Sequence, residues 1–226
     1  MKTGPILVTG FEPYGGRGSN PAHAAMQAVD GLVIDGVEVV GRGLAVSIAS
    51  LMPSLEALFA ELRPAAMVGL GLCPGEPVIR IERIGINLAD FEIADNEGRL
   101  LRDDLVVRRG AGARFTTLPV REIETALLAA NIPARLSVTA GTYLCNACLY
   151  GLLEIAERYP PPIPCGFLHL PYSPEQVAEM LAQRHGLEQP DAGGRDDLAS
   201  MELAKIIEAT RLVLGVVASR LKSACN

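Results

Sequence analysis

The chain has no tryptophan, and only 4% of its 226 residues are aromatic. It contains no apolar run of about 18 residues, the length that a membrane-spanning helix requires. Lysine and arginine total 20 against 26 acidic residues and form no basic stripe, which argues against nucleic acid as a partner. Hydrophobic residues nevertheless make up 49% of the sequence, enough to fill a substantial core.

The cysteines are few and do not have the spacing of a disulfide framework. There are five, an odd number, and one C-x-x-C pair without a second ligand pair does not make a zinc site. The apolar stretch at residues 6–8 is too short for the core of a signal peptide. These features predict a reduced, cytoplasmic protein that binds no metal and no membrane.

Strand and helix patterns alternate along the chain. The predicted strands cover residues 5–9, 37–46, 65–70, 78–88, 114–117, 134–139 and 165–170, and helices are predicted over 21–29, 53–62, 119–130, 173–185, 198–221 and after Gly141. No repeat, linker or shift in composition divides residues 1–226, which we expect to form one α/β domain. The alternation predicts a three-layer α/β/α sandwich around a mostly parallel, twisted sheet, with its site beyond the carboxyl ends of the strands.

The segment 78–88 changes hydrophobic phase partway along. Ile79 and Ile81 are apolar at odd positions, whereas the apolar residues from Ile84 onward occupy even positions. Because side chains alternate between the two faces of a strand, the change predicts a bulge or kink near Glu82.

Cys145 stands between the predicted strand 134–139 and the helical pattern that follows Gly141. A helix N-terminus offers free N–H groups and a partial positive charge, which stabilise a thiolate and lower its pKa. This placement favours a nucleophilic cysteine, although a single cysteine also suits a small position in the core. Cys145 and Cys148 form a C-x-x-C pair, which leaves dithiol redox chemistry as an alternative.

His169 lies near the carboxyl end of the apolar strand 165–170. A right-handed crossover predicts that this strand neighbours the strand before Cys145, so that the two side chains face one crevice. A Cys–His pair needs a third group to orient the imidazole. Glu82 interrupts a strand of isoleucines and is one candidate among many acidic residues; the alternative is an exposed strand glutamate beside Arg80 and Arg83.

Two glycine-rich loops do not fit the nucleotide-binding motifs that they resemble. The loop at residues 69–75 follows a strand but continues into another strand, so the helix that holds a dinucleotide phosphate is missing. The loop at residues 10–18 has no Lys-Ser/Thr pair and is not a phosphate-binding P-loop. The sequence therefore predicts no nucleotide cofactor.

Four segments, in order, carry a resemblance to a known family. They read GFEPYGG at 10–16 with Asn20-Pro21, IERIGIN at 81–87 with ADNEG at 94–98, TAGTYLCN at 139–146, and GFLHLP at 166–171. The chain resembles pyroglutamyl peptidase I, a family of cysteine peptidases also called pyrrolidone carboxyl peptidases, over nearly its entire length. The resemblance implies that Cys145 is the nucleophile, His169 the base and Glu82 the third member of a catalytic triad.

The resemblance also implies a substrate class and a pocket. The expected reaction removes N-terminal pyroglutamyl residues from peptides by thiol acyl transfer, without a cofactor, in a cytoplasmic homo-oligomer that is a tetramer or dimer. The pyrrolidone ring is flat and mostly apolar, so Phe11, Tyr14 and Tyr143 are expected to cover its faces, with Asn20 and Leu72 completing the pocket.

Three positions depart from the family pattern. Leu72 stands where the family has glutamine, Glu92 where it has arginine, and Tyr14 where it has a second phenylalanine. The triad is intact, so the resemblance implies conserved thiol chemistry, and the three changes bear on substrate recognition and efficiency. A relative that binds or cleaves another substrate, or that has low activity, is the alternative.

Overall fold

The computed structural model describes residues 4–159, 163–185 and 198–223. Its strands are β1 (Ile6–Phe11), β2 (Val33–Ile34), β3 (Val37–Leu44), β4 (Ala66–Leu72), β5 (Ile79–Glu82), β6 (Ile84–Ile86), β7 (Ala113–Phe115), β8 (Ala134–Ser137) and β9 (Cys165–Leu170). Its helices are α1 (Pro21–Val29), α2 (Ile48–Leu62), α3 (Val120–Ala129), α4 (Leu144–Glu157), α5 (Pro174–His185) and α6 (Leu203–Ser223). The acidic, glycine-containing sequence of residues 188–197 predicts a loop, and this segment lies outside the described residues.

Seven strands form one sheet in the order β2-β3-β1-β4-β9-β5-β8. The central strands β3, β1, β4 and β9 are parallel, whereas β5 runs antiparallel to β9 and parallel to β8. Every residue of β1, β4 and β9 is buried, as expected for strands that are covered on both faces. The predicted α/β fold with a mostly parallel sheet is confirmed.

Helices cover both faces of this sheet, and alternate strand residues belong to different cores. Ile6 and Val8 pack in a cluster with α1, α3 and α6, whereas Leu7 between them packs in a second cluster with α2 and α4. This alternation follows from the two-residue period of a strand. The result is the predicted three-layer arrangement.

The phase change in segment 78–88 marks a change of sheet and not a bulge within one strand. Strand β5 pairs with β9 and β8, but β6 pairs only with β7 in a separate two-stranded antiparallel sheet. The break falls at Arg83, as the hydrophobic pattern indicated. Glu82 is therefore the last residue of β5 in the main sheet.

The predicted adjacency of β8 and β9 is wrong, because β5 lies between them. The apolar, β-branched sequence of residues 134–139 predicts a buried strand, and this prediction is also wrong, because β8 forms the edge of the sheet and is only partly buried. The insertion of β5 has a consequence for the site. It places Glu82 on the strand next to the one that carries His169.

The sequence pattern predicted the first residue of some helices correctly and of others wrongly. Helix α2 begins at Ile48 and not at Pro53, with Ser47 as its N-cap, and it contains Pro53 in its interior. The capping box at α5 is present, since Gln176 N donates to Ser173 Oγ at 3.3 Å and Ser173 N to Gln176 Oε1 at 3.5 Å.

Across the described ranges, no helix combines the length and apolar character needed to cross a bilayer.

Candidate active site

A cavity of about 360 Å³ opens at the carboxyl ends of β1, β4 and β9. Phe11 ends β1, Leu72 ends β4 and His169 lies near the end of β9, and the start of α4 completes the wall. This is where an open α/β sheet is expected to place its site. The lining includes both reactive residues and all predicted substrate-binding residues, namely Phe11, Tyr14, Asn20, Leu72, Tyr143, Cys145 and His169.

Cys145 is the second residue of α4, so the predicted placement at a helix N-terminus is confirmed. Tyr143 is the N-cap, and among the described residues no side chain caps this end of the helix. Ala147 N makes the first intrahelical bond, to Tyr143 O at 3.1 Å. The N–H groups of the preceding three residues therefore have no helical acceptor at the cavity wall.

The sulfur of Cys145 lies against Gly71 of β4. An ideal Cβ placed on Gly71 would be 2.7 Å from Cys145 Sγ and 2.7 Å from Phe167 Cζ, so only glycine fits between them. In the sheet register, Gly71 is paired with His169. Neighbouring strands are about 4.8 Å apart, so Cys145 and His169 flank the same position. Both reactive side chains line the same cavity.

Glu82 orients the imidazole of His169. The Nδ1 atom of His169 lies 2.8 Å from Glu82 Oε1, and the two residues are 4% and 0% exposed. Glu82 is therefore not an exposed strand glutamate. A carboxylate accepts the Nδ1 proton, which fixes the tautomer and leaves Nε2 free to accept a proton. The ring of Phe167 packs edge-on against the imidazole, with centroids 5.2 Å apart.

Arg80 supplies the cation that balances the buried Glu82. Its Nη2 lies 3.0 Å from Glu82 Oε1 and donates to Ser137 Oγ at 2.7 Å and to Thr139 O. An isolated buried carboxylate would be costly without such a partner. The sequence reasoning treated Arg80 only as a neighbour of Glu82. The spacing of Arg80 and Glu82 is the sequence feature that indicates this pairing, because residues two apart on a strand share one face.

Burial raises the pKa of the Cys145 thiol well above its usual range, and Arg80 counteracts this only in part. The expected lowering of this pKa at the helix N-terminus is therefore wrong for the cavity without substrate. Desolvation of the sulfur outweighs the partial charge of the helix. Cys145 is a neutral thiol here, and its proton has to be removed by a base.

Asn146, next to the nucleophile, fixes the start of α4 to β6. Its fully buried side chain accepts from Ile86 N at 2.9 Å and donates to Ile86 O and Leu88 O, both at 2.9 Å. The three bonds join the helix to the small second sheet. The sequence reasoning assigned no role to this residue beyond its place in the family motif.

Aromatic side chains gather in the cavity, as predicted. The rings of Tyr14 and Tyr143 have centroids 6.3 Å apart, and Phe91 packs edge-on to Tyr143 at 4.7 Å. Phe11 is buried at the end of β1 and lines the same space. The scarce aromatic residues thus form one wall of the cavity.

The polar groups of Asn20 are used within the protein. Its Oδ1 accepts from Ala22 N at 3.0 Å as the N-cap of α1, and its Nδ2 donates to Glu12 O at 3.1 Å. Asn20 lines the cavity but mainly holds the first loop in place. Leu72, which is 5% exposed, contributes an apolar wall.

The rim of the cavity is acidic. Asp90 and Glu92 line it, and Asp90 lies 3.5 Å from the guanidinium of Arg102, whereas Glu92 is exposed. Within the ranges described, no three or more His, Cys, Asp or Glu residues are grouped as metal ligands would be. The chemistry that the cavity offers is that of a thiol, an imidazole and a carboxylate in series.

Comparison with known proteins agrees with this geometry. A model of the pyroglutamyl peptidase family matches residues 4–219. The chain is 36% identical to the pyrrolidone-carboxylate peptidase of Coprothermobacter proteolyticus over 96% of this chain and 98% of the relative, and 39% identical to that of Pyrococcus furiosus over 79% and 86%. A solved structure of the Pyrococcus furiosus pyrrolidone carboxyl peptidase matches with a TM-score of 0.87 at 34% identity, covering 96% of this chain and 99% of that one. The chain therefore belongs to the pyroglutamyl peptidase family of cysteine peptidases.

Proposed function

We propose that the protein removes N-terminal pyroglutamyl residues from peptides, with Cys145 as nucleophile, His169 as general base and Glu82 as the residue that orients the base. The observation that supports this most directly is the 2.8 Å contact between His169 Nδ1 and Glu82 Oε1 beside the cavity that Cys145 lines. Membership of the pyroglutamyl peptidase family supports the substrate class.

The first step forms the acyl-enzyme. His169 Nε2 takes the thiol proton of Cys145 as the sulfur attacks the carbonyl carbon of the pyroglutamyl residue. Burial raises the pKa of the Cys145 thiol, so a base beside it is needed to take this proton. The imidazolium that forms is stabilised by the carboxylate of Glu82.

The start of α4 supports the charge that develops on the substrate. The attack produces an oxyanion, and the N–H groups of Leu144, Cys145 and Asn146 have no helical acceptor. His169 then gives its proton to the leaving amine as the C–N bond breaks. Water, deprotonated by His169, hydrolyses the thioester and releases pyroglutamate and the free thiol.

The dithiol alternative is not favoured by the position of Cys148. This residue is fully buried within the core beneath α4, and burial raises the pKa of its thiol to about 12. Unlike Cys145, Cys148 does not line the cavity, and a thiol without access to a partner reacts poorly in disulfide exchange. Cys148 therefore fits a packing role.

The cytoplasmic location and the homo-oligomeric state stay predictions from the sequence.

Hydrolysis of a fluorogenic pyroglutamyl amide, beside the matching prolyl and glutamyl amides, tests the proposal. We expect turnover of the pyroglutamyl amide and loss of nearly all activity in Cys145→Ser and His169→Ala, with circular dichroism unchanged. Cys148→Ser is the matched control and should keep the activity. More than about a tenth of wild-type activity in Cys145→Ser would contradict the nucleophile assignment, because a serine hydroxyl gives up its proton less readily than a thiol and is the weaker nucleophile.

A further inference from the structure

The polar side chains that line the cavity differ in whether their groups are already bonded. Asn20, Thr142 and Tyr143 each bond to the protein backbone through their polar atoms. Tyr14 also lines the cavity, and its hydroxyl has no hydrogen-bond partner among the described residues. Tyr14 therefore presents a free phenolic group to whatever occupies the cavity.

The ring of Tyr14 is held in place from behind. The guanidinium carbon of Arg17 lies 4.9 Å from the centroid of this ring and 5.8 Å from that of Tyr172, and Arg17 Nη2 donates to the Tyr172 hydroxyl at 3.3 Å. The ring of Tyr143 lies next to it, tilted by 41°, with the two centroids 6.3 Å apart. A ring fixed by its neighbours presents its hydroxyl at a defined place with little loss of entropy on binding.

The Tyr14 phenol is also close to the reacting centre and stays protonated. Burial raises its pKa well above the usual range, and an ionised Cys145 would raise it further by proximity. A neutral phenol can both donate and accept a hydrogen bond. It therefore matches either atom of an amide edge, the carbonyl oxygen or the N–H.

Apart from Cys73 and Arg80, whose guanidinium is bound to Glu82 and Ser137, the wall near the nucleophile is largely apolar. Val46, Leu72 and Leu144 line the cavity together with Phe11, and none of them offers a hydrogen bond from its side chain. The pyrrolidone ring carries one lactam amide, and burying that edge without a partner is costly. Among the hydroxyl and amide side chains that line the cavity, Tyr14 is the one whose group has no partner among the described residues, so it is placed to meet that edge.

We propose that the hydroxyl of Tyr14 hydrogen-bonds the lactam amide of the pyroglutamyl ring and determines the specificity of the cavity for this ring. The inference rests on the proposed function, since it names the contact that recognises the substrate. Leu72 lines the same cavity, so an amide introduced at that position is expected to compensate for loss of the Tyr14 hydroxyl.

The test compares Tyr14→Phe, which removes only the hydroxyl, with the wild type by two measurements. The first is kcat/KM for the fluorogenic pyroglutamyl amide. The second is the concentration of 2-pyrrolidone that half-protects Cys145 from iodoacetamide, measured by mass spectrometry of the Cys145 peptide. We expect Tyr14→Phe to lower kcat/KM about tenfold and to raise the protecting concentration about tenfold. The double variant with Tyr14→Phe and Leu72→Gln should recover much of the lost kcat/KM and much of the lost protection by 2-pyrrolidone.

Tyr172→Phe is the matched control, because it removes a hydroxyl from the same Arg17 cluster without touching the cavity. It should stay within about twofold of the wild type in both measurements. Two results would overturn the inference. One is that Tyr14→Phe equals the wild type in both measurements, and the other is that Tyr172→Phe loses as much as Tyr14→Phe does. No gain from Leu72→Gln in the Tyr14→Phe background would overturn the compensation. If the wild type does not hydrolyse the amide at all, the proposed function fails instead.

Discussion

Arg80 and His169 share one oxygen of Glu82. Arg80 Nη2 lies 3.0 Å from Glu82 Oε1, and His169 Nδ1 lies 2.8 Å from the same atom. The second oxygen, Oε2, is buried and has no hydrogen-bond partner among the described residues. The orientation of the carboxylate therefore depends on Oε1 alone. Arg80 places a cation beside the carboxylate, and the carboxylate oxygen accepts the Nδ1 proton of His169, which leaves Nε2 to accept the thiol proton.

Glu82→Gln is predicted to lower kcat by roughly 10²- to 10⁴-fold. An amide at this position can donate to Nδ1, which favours the wrong tautomer of His169, and it leaves Arg80 without its anion. The measurement is kcat on the pyroglutamyl amide, with circular dichroism to confirm folding. Glu76→Gln is the control, because Glu76 lies 3.6 Å from Arg80 but does not contact His169. A Glu82→Gln enzyme with wild-type kcat would show that the imidazole needs no orienting carboxylate.

The raised pKa of Cys145 predicts a pH-dependent reaction with iodoacetamide. The thiolate is the reactive form, and below the pKa its fraction grows about tenfold for each pH unit. In the protein without substrate, the alkylation rate at Cys145 should therefore keep rising from pH 6 to pH 9. A preformed thiolate–imidazolium pair would give a high rate that is flat over this range, and such a plateau would refute the neutral-thiol description.

Gly71→Ala is predicted to abolish activity through a steric effect. The new methyl group would lie 2.7 Å from Cys145 Sγ and from the ring of Phe167, closer than carbon and sulfur can approach. Either the nucleophile or the ring beside His169 has to move, and a displacement of about 1 Å at the reacting atoms can cost about 100-fold in rate. Gly215→Ala on α6 is the control, because nothing lies near its added Cβ. Kinetics and thermal melting of both variants test this.

Much of the fold follows from local patterns in the sequence. The fully apolar strands, the capping box at Ser173 and the break after Glu82 each leave a signal that depends only on neighbouring residues. The order of strands does not, because it is decided by long-range packing. The sequence pattern therefore located β5 and β8 approximately but could not show that β5 inserts between β8 and β9.

The candidate site was predictable in its membership but not in its electrostatics. Cys145 lies at the start of a helix and His169 near the end of a strand, as the sequence indicated. Both placements are local features of the chain. The pKa of Cys145 depends on how deeply the thiol is enclosed by Gly71 and Phe167, which no local pattern reports. The same holds for Arg80, whose role arises from pairing across strands.

Asn146→Ala is predicted to destabilise the protein by about 2–4 kcal/mol in the free energy of unfolding. The change leaves the N–H of Ile86 and the carbonyl oxygens of Ile86 and Leu88 without their side-chain partner. Activity of the folded fraction should fall as well, because the start of α4 is no longer fixed to β6. Asn96→Ala, which removes one exposed bond to Pro13 O, should cost less than about 1 kcal/mol. Urea unfolding measures the free energy of unfolding of the two variants. Equal unfolding midpoints for Asn146→Ala and Asn96→Ala would contradict the prediction.

The acidic rim predicts a preference for a basic residue after the pyroglutamyl group. Glu92 is exposed at the cavity rim, where a leaving peptide would pass, and Asp90 is already near the guanidinium of Arg102. Peptides with lysine in the second position should be cleaved about three- to tenfold more efficiently than those with glutamate, and added salt should reduce this ratio.

Glu92→Gln should lower that ratio more than Asp90→Asn does, because the charge of Asp90 is partly neutralised by Arg102 in the wild type. The measurement is kcat/KM for paired peptides that differ only in the second residue, at 20 and 300 mM sodium chloride. Competition between the two peptides in one reaction removes errors in enzyme concentration. A ratio that is the same in Glu92→Gln and the wild type, or that does not respond to salt, would show that the leaving peptide does not pass Glu92. The charge at this position, opposite in sign to the family's arginine, would then have no part in substrate choice.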